Sequence, residues 1–264
     1  MQTVIDYSKL VHWNNDVQKE GLDLLLDHGK AIVCPTKVGY IVGTSDYAGL
    51  ERKFKAKERK RNKPGVVLVG SMDQLRAIAE MTPSIEKLYQ NCWDQDILLG
   101  CILPWKEDGK RYIPQDGSEE LMTDVRSTSC FVIKFGVPGE LIAKELWERE
   151  NRLMFASSAN PSGQGNRGLV DGIGQRIADE VDLIIEGNDY VASIQKDKTA
   201  ETRYEQGVMV SFVDKEGKLV PEQNGQRSVY PCPVVIRKGL YIDDILFFLT
   251  EDYNSWDYRH GEYY

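Results

Sequence analysis

The chain has 264 residues, 41% hydrophobic and 28% charged, and its 33 Lys plus Arg against 41 Asp plus Glu leave a formal net charge of −8. That is the profile of a soluble globular protein long enough to bury a core without disulfide or metal staples. No run reaches the roughly 18 apolar residues of a membrane span, and residues 1–6 hold no basic segment followed by an apolar run, so neither a membrane helix nor a signal peptide is expected and the expected compartment is the cytoplasm.

In chain order, Val17 and then Leu22, Leu24, Leu25 and Leu26, closed by His28-Gly29, predict an amphipathic first helix with a glycine stop. Ala31-Ile32-Val33-Cys34 ending at Pro35 predicts a buried strand, with 40–44 as its hairpin partner or neighbour. A helix over 47–57 leads into a basic segment, and Gly65-Val66-Val67-Leu68-Val69-Gly70 is the clearest strand. Helices over 72–79 and 84–92 and a strand over 97–103 follow. Residues 106–124 are polar and carry Gly109, Pro114 and Gly117, which predicts a long loop of the kind that serves as a lid or binding loop.

A strand over 130–135, a helix over 139–148 and a strand over 153–156 come next. A helix near 173–180, a strand over 183–186, a second polar loop over 189–206, and strands over 208–212, 219–220 and 234–236 complete the body. The order is not a strict βα alternation, so it predicts an α/β fold on a twisted mixed sheet flanked by helices. One domain is expected over 1–240, followed over 241–264 by a C-terminal helix and an aromatic, acidic tail. That tail, with Tyr253, Trp256, Tyr258, Tyr263 and Tyr264, is expected at the periphery or as a contact surface for a protein partner.

Five scattered cysteines without a Cys-x-x-Cys pair argue against a disulfide framework and suit small buried apolar positions. Three widely separated histidines, His12, His28 and His260, argue against a zinc site or a histidine-centred hydrolase. Charge is concentrated in one place. From Arg52 to Pro64 the chain runs Arg52-Lys53-Phe54-Lys55-Ala56-Lys57-Glu58-Arg59-Lys60-Arg61-Asn62-Lys63-Pro64, eight basic residues against one acid. Such a segment is a solvated helical face, a nucleic-acid patch, or a phosphate clamp in which Lys57 and Arg59 point into a cleft. Its place just before a buried strand favours the clamp, because a rigid scaffold holds strand-edge loops there. Ser157-Ser158-Ala159-Asn160-Pro161-Ser162-Gly163 also follows a strand, and its residue types suit either an ordinary turn or a cradle for phosphate oxygens or a ribose.

Taken together, four elements resemble the YrdC-like, or threonylcarbamoyl-AMP synthase, family in order and separation. They are Pro35-Thr36 followed by Tyr40, Lys57-x-Arg59-x-x-x-Lys63-Pro64 running into a strand, Ser158-Ala159-Asn160-x-Ser162-Gly163, and Arg237 with Gly239. The resemblance covers residues 10–239. It implies a twisted sheet enclosing a basic cavity and a nucleotidyltransferase of the L-threonylcarbamoyladenylate synthase type. Such an enzyme condenses an amino acid, typically threonine, with bicarbonate and ATP to a carbamoyl-AMP and pyrophosphate. The family's positions fall here on Lys57 and Arg59 as catalytic cations and on Thr36, Tyr40, Lys63, Ser158, Asn160 and Arg237 as substrate and nucleotide contacts. Lysine and arginine offset the repulsion between two anions and stabilise charge passing to pyrophosphate. Mg2+ bridging the phosphates is expected to be held by nucleotide and water, with no metal ligands from the protein.

The sequence also departs from the family. After Trp93, where the family carries Pro-Gly-Pro-x-Thr, the chain has Asp94-Gln95-Asp96-Ile97-Leu98; the family's Arg-x-Pro becomes Lys134-Phe135-Gly136-Val137-Pro138; and the acid and threonine usual after Pro-Thr are Lys37 and Val38. Its Ser-Thr-x-x-Asp element is not evident in Gln206-Gly207-Val208-Met209-Val210-Ser211. These losses suggest an acceptor other than threonine, in a specialised pathway. The competing readings are a non-catalytic module that binds RNA or a nucleotide through the basic segment and a structural partner that docks by its tail; no membrane partner is expected.

Overall fold

The computed structural model describes residues 3–58, 64–161 and 164–261. Its strands in chain order are β1 (Leu10–His12), β2 (Ala31–Thr36), β3 (Gly39–Thr44), β4 (Val66–Leu68), β5 (Leu99–Pro104), β6 (Thr128–Ile133), β7 (Met154–Ser158), β8 (Leu183–Glu186), β9 (Val208–Ser211), β10 (Val234–Arg237) and β11 (Asp257–Tyr258). The α-helices are α1 (Lys19–Leu26), α2 (Tyr47–Lys57), α3 (Met72–Ile78), α4 (Pro83–Asp94), α5 (Glu119–Met122), α6 (Val137–Glu150), α7 (Gln175–Glu180), α8 (Asn188–Ile194) and α9 (Ile242–Asp252).

Local chemistry sets several of these boundaries. Asp46, Ser71 and Thr82 cap α2, α3 and α4 by accepting from the N–H groups of Gly49, Gln74 and Ile85, which satisfies donors that a helix start leaves unpaired. Pro83 and Pro138 stand in the first turns of α4 and α6, where the missing N–H costs nothing. Every residue of β2 is buried, because both faces of the sheet are covered there.

All eleven strands join one mixed sheet in the order β1-β8-β2-β3-β7-β4-β6-β5-β9-β10-β11. The pairs β2–β3, β3–β7, β4–β7, β5–β6 and β9–β10 are antiparallel, while β1–β8, β2–β8, β4–β6, β5–β9 and β10–β11 are parallel. One face carries Val67, Leu99, Phe131 and Phe155 into the largest core cluster, packed against α3, α4 and α9, and carries Val33, Val42 and Ile184 under α7. The opposite face is covered by α1 and α6 at Ile32, Leu68, Met154 and Ile185. Farther along that second face, Ile102, Cys130, Met209 and Ile236 form a cluster to which no helical residue belongs. A cavity opens over this uncovered stretch.

The expected mixed α/β architecture is therefore observed, with local corrections. Asn188–Ile194 is helical, where a loop is expected; it buries only Val191, so its sequence has almost no apolar stripe. Residues 219–220 make one isolated bridge, Val213 to Leu219, in place of a strand. The long loop over 106–124 holds a 3-10 turn at Asp108–Tyr112 and the short α5. Tyr253 is not peripheral: it is 1% exposed and its ring lies 5.4 Å from that of Phe212, because α9 contributes Ile245, Phe248 and Leu249 to the main core. Tyr263 and Tyr264 lie outside the described residues. All five cysteines are free and buried, and no described helix is long and apolar enough to cross a membrane.

Candidate functional site

A cavity of about 520 Å³ sits on the uncovered stretch of the sheet. Strand alternation builds its floor: Val66, Ile102, Cys130 and Met209 point into it from neighbouring strands. Gly100 stands between Val132 and Met209 in the register, and a side chain there would approach Cys130 Sγ to 3.0 Å. Thr36 and Val38 at the β2–β3 tip, with Leu98 and Phe135 from the connections flanking β5 and β6, form one end. Lys57, Ser158, Asn160, Asn166, Glu205 and Arg237 are the main polar lining groups.

The structure brings together five of the residues singled out in the sequence: Thr36, Lys57, Ser158, Asn160 and Arg237 all line the cavity. Lys57, the last residue of α2, donates from Nζ to the Ser158 carbonyl and, at 3.1 Å, to Ser158 Oγ. That leaves the Ser158 hydroxyl proton free to donate to an anionic oxygen. Arg237 donates from Nε to the Gly207 carbonyl at 2.9 Å, and its two Nη groups have no partner among the described residues. Thr36 Oγ1 donates to the Gly39 carbonyl at 2.8 Å and accepts from the Val38 N–H at 3.2 Å, so toward a ligand it can only accept.

Asn160 lines the cavity with its amide already engaged. Its Nδ2 group donates to the carbonyls of Pro161 and Gln164, while Oδ1 is buried without a partner. The amide donors are thus spent within the loop and are not available to a phosphate oxygen. Tyr40 is not among the cavity's lining residues. Its hydroxyl is 2.9 Å from the Gly187 N–H, which it accepts, and 2.7 Å from Asn188 Oδ1, to which it donates; burial pushes its pKa well up. Arg59 and Lys63, with Ser162 and Gly163, lie outside the described residues.

The described half of the basic segment does not act as one clamp. Helical spacing sends Arg52 and Lys55 to one side, where they pair with Asp182 at 2.6 Å and Glu180 at 2.7 Å, and sends Lys53 and Lys57 to another. Lys53 is buried beside the Phe54 ring, and only Lys57 of these four reaches the cavity. Two described cations, Lys57 and Arg237, and one carboxylate, Glu205, line the cavity among neutral polar and apolar side chains. Glu205 accepts from the Arg167 N–H, and no group of three metal-ligating side chains occurs among the described residues. Burial pushes the Cys130 thiol up to about 12, so it meets the cavity as a neutral thiol and not as a nucleophile.

Several lining residues were not predicted. Asn166 stitches β3 to the loop after β7: Nδ2 donates to the carbonyls of Tyr40 and Ala159, both at 3.0 Å, and Oδ1 accepts from the N–H groups of Tyr40 and Gly168. A lone asparagine in a polar loop carries no sequence signal for this. Glu205 and Gln206, at the end of the second polar loop, reach the cavity, whereas no residue of the first loop does. That first loop packs on α3 and α2 instead, with Asp116 accepting from the Tyr47 N–H at 2.9 Å. The divergent segment after Trp93 divides its labour: Leu98 lines the cavity, while Asp96 turns away to Lys37 at 2.7 Å and Lys134 at 3.6 Å. Lys37 is fully buried, and that burial lowers its pKa although Asp96 pulls the other way.

Residues 24–202 match the Sua5/YciO/YrdC family profile, described as telomere recombination. The chain is 25% identical over 164 residues to the threonylcarbamoyl-AMP synthase of Pyrococcus abyssi (strain GE5 / Orsay), a match that spans 61% of this chain and 44% of that relative. Among solved structures, the hypothetical protein smu.1377c of Streptococcus mutans UA159 superposes with a TM-score of 0.91 at 63% identity, over 97% of this chain and 99% of that one. P. abyssi Sua5 complexed with L-threonine gives a TM-score of 0.55 at 23% identity, over 89% of this chain and 58% of its own. E. coli YciO gives 0.60 at 18% identity, over 88% and 94%. At those identities the last two speak to the fold.

Proposed function

The chain belongs to the Sua5/YciO/YrdC family, and on that premise we propose that it is an ATP-dependent carbamoyl-adenylate synthase. The amine of an amino acid attacks bicarbonate, losing water, to give a carbamate. A carbamate oxygen then attacks the α-phosphorus of ATP, forming a carbamoyl-AMP as pyrophosphate leaves. The observation that carries this reading is Lys57 on Ser158 at the cavity wall, a fixed cation beside a hydroxyl whose proton is free to donate.

A preorganised cation and donor at the cavity wall stabilise charge that builds on phosphate oxygens, and they need no reorganisation at the moment of reaction. Arg237, with free Nη groups, supplies the flat fork suited to a second anion, a phosphate or a carboxylate. The remaining Thr36 lone pair suits an N–H or O–H donor on the ribose or the amine. With Glu205 the only described carboxylate lining the cavity, Mg2+ would enter as the counter-ion of the nucleotide, held by phosphates and water. The likeness to the threonylcarbamoyl-AMP synthase of P. abyssi supports an amino acid and ATP as substrates.

Incubation with ATP, Mg2+, bicarbonate and a panel of amino acids tests the proposal. The expected result is pyrophosphate release that needs both bicarbonate and one amino acid, with the matching adenylate in the mass spectrum. Lys57→Ala should abolish turnover while the fold is retained. Nucleotide binding without turnover on any amine would mark the chain as a binding module and overturn the enzymatic reading.

A further inference from the structure

The cavity has two apolar surfaces with different surroundings. Around Ile102, Cys130 and Met209 there are polar groups for a ligand to meet, since the two Arg237 Nη groups are free among the described residues. The other surface, Val38, Leu68, Leu98, Val132 and Phe135, extends the core packed beneath α1 and α6 into the cavity. The polar side chains at the β2–β3 tip are Thr36, whose Oγ1 keeps one lone pair, Lys37, whose Nζ is turned to Asp96, and Asn166, whose amide is spent on Tyr40, Ala159 and Gly168.

Three connections converge on this second corner and are tied to one another. The Lys37 N–H donates to the Phe135 carbonyl at 2.8 Å, and Lys37 Nζ holds Asp96, two residues before Leu98. Gly136 passes so close that a Cβ there would lie 2.9 Å from Thr36 Cα. The corner is thus fixed in shape and has little polar surface to offer. An adenine base has several ring and exocyclic nitrogens to satisfy, and each left unpaired on burial costs about 1–3 kcal/mol. A hydrocarbon side chain loses nothing there.

We infer that this corner seats an aliphatic side chain of the acceptor, so that the amino acid consumed is of the valine class and not threonine. The inference rests on the synthase reading above. Valine and threonine differ only by a methyl in place of a hydroxyl, and an apolar pocket rejects such a hydroxyl isostere by about a hundredfold.

Purified protein is assayed for kcat/KM with valine, leucine, methionine and threonine at saturating ATP and bicarbonate, with adenylates identified by mass. The expected result is valine or a larger aliphatic residue favoured over threonine by tenfold to a hundredfold. In Leu98→Thr that ratio should move at least tenfold toward threonine while the KM for ATP stays unchanged. Val38→Thr, at a half-buried position, tests the same surface if Leu98→Thr does not fold. Preference of the wild type for threonine overturns the inference alone, as does a rise in ATP KM in either variant, which would place the base in this corner. Absence of an adenylate from every amine overturns the synthase reading, and the aliphatic seat with it.

Discussion

The pair formed by Lys37 and Asp96 is asymmetric, and its two halves should respond differently to removal. The Lys37 side chain is 0% exposed and that of Asp96 58%. Replacing Asp96 by Ala leaves a buried ammonium with the backbone carbonyl of residue 96 and the more distant charge of Glu140. Breaking a fully buried pair costs about 3–5 kcal/mol, and a hydrogen bond to a charged group about 1.5–3 kcal/mol; because Asp96 is half in water, we expect about 2 kcal/mol, roughly thirtyfold in the folding equilibrium. Lys37→Met removes the buried charge at similar volume and returns Asp96 to solvent and Lys134, so its cost should stay within about 1 kcal/mol. The double variant should match Lys37→Met.

The pH dependence of this pair follows from the direction of the Lys37 shift. Its folded-state pKa lies below the ordinary 10.5, so between those two values the unfolded chain binds more protons and stability rises with pH. Loss of Asp96 removes the hydrogen bond and negative charge that hold the Lys37 pKa up, so the window widens and the Asp96→Ala penalty should shrink on going from about pH 7 to about pH 9.5. Urea unfolding followed by tryptophan fluorescence measures each difference. A Lys37→Met variant as costly as Asp96→Ala, or a penalty that does not change in alkali, would refute the reasoning.

Tyr40→Phe should lose about 1–3 kcal/mol in urea unfolding, because it strands the Gly187 N–H that Tyr40 now accepts at 2.9 Å. Gly70→Ala would place a Cβ 2.4 Å from the Lys144 backbone nitrogen, where no flexible side chain can yield, and the melting temperature should fall by an amount equivalent to about 1–3 kcal/mol or more. Native protein at about pH 8 should react slowly with a thiol reagent, since burial holds Cys34, Cys92 and Cys130 at about 12, and denaturant should release all five thiols; rapid native labelling would contradict this. Glu222 accepts from the Ser84 N–H at the start of α4, which lowers its pKa below 4.5. The stability difference between wild type and Glu222→Gln should therefore be full above 4.5 and vanish as pH falls through the folded value; a pH-independent difference would exclude the charge as its source.

Where apolar periodicity is strong, the sequence and the structure agree closely. The helix expected over 47–57 is α2 to the residue, and the strand at 183–186 is β8, because capping and burial act within a few neighbours there. What escaped depends on distant chain. β1 is three residues with no fully buried side chain, and it is a strand because its pairing with β8 brings together residues 174 apart, such as Leu10 and Ile184. The site divides along the same line. Lys57 and Ser158 stand in recognisable motifs, whereas Leu98 and Phe135 enter the cavity only because Lys37 gathers their two connections. Asn160 lay in the expected loop, but the direction of its amide is decided by the carbonyls of Pro161 and Gln164, which no motif specifies.

The strand order has a consequence for how the cavity comes into being. β3 and β4 lie close in sequence yet never pair; β7 inserts between them and bonds to both. A chain growing from its N-terminus thus holds two separate part-sheets until residue 158 is available, and such long-range closure is entropically slow. The strand that joins them ends in Ser158 and leads directly into Asn160. Completion of the sheet and arrival of the Ser158 hydroxyl beside Lys57 are one event, so a nascent or nicked chain lacking β7 would hold neither a continuous sheet nor the wall on which the proposed nucleotide site depends.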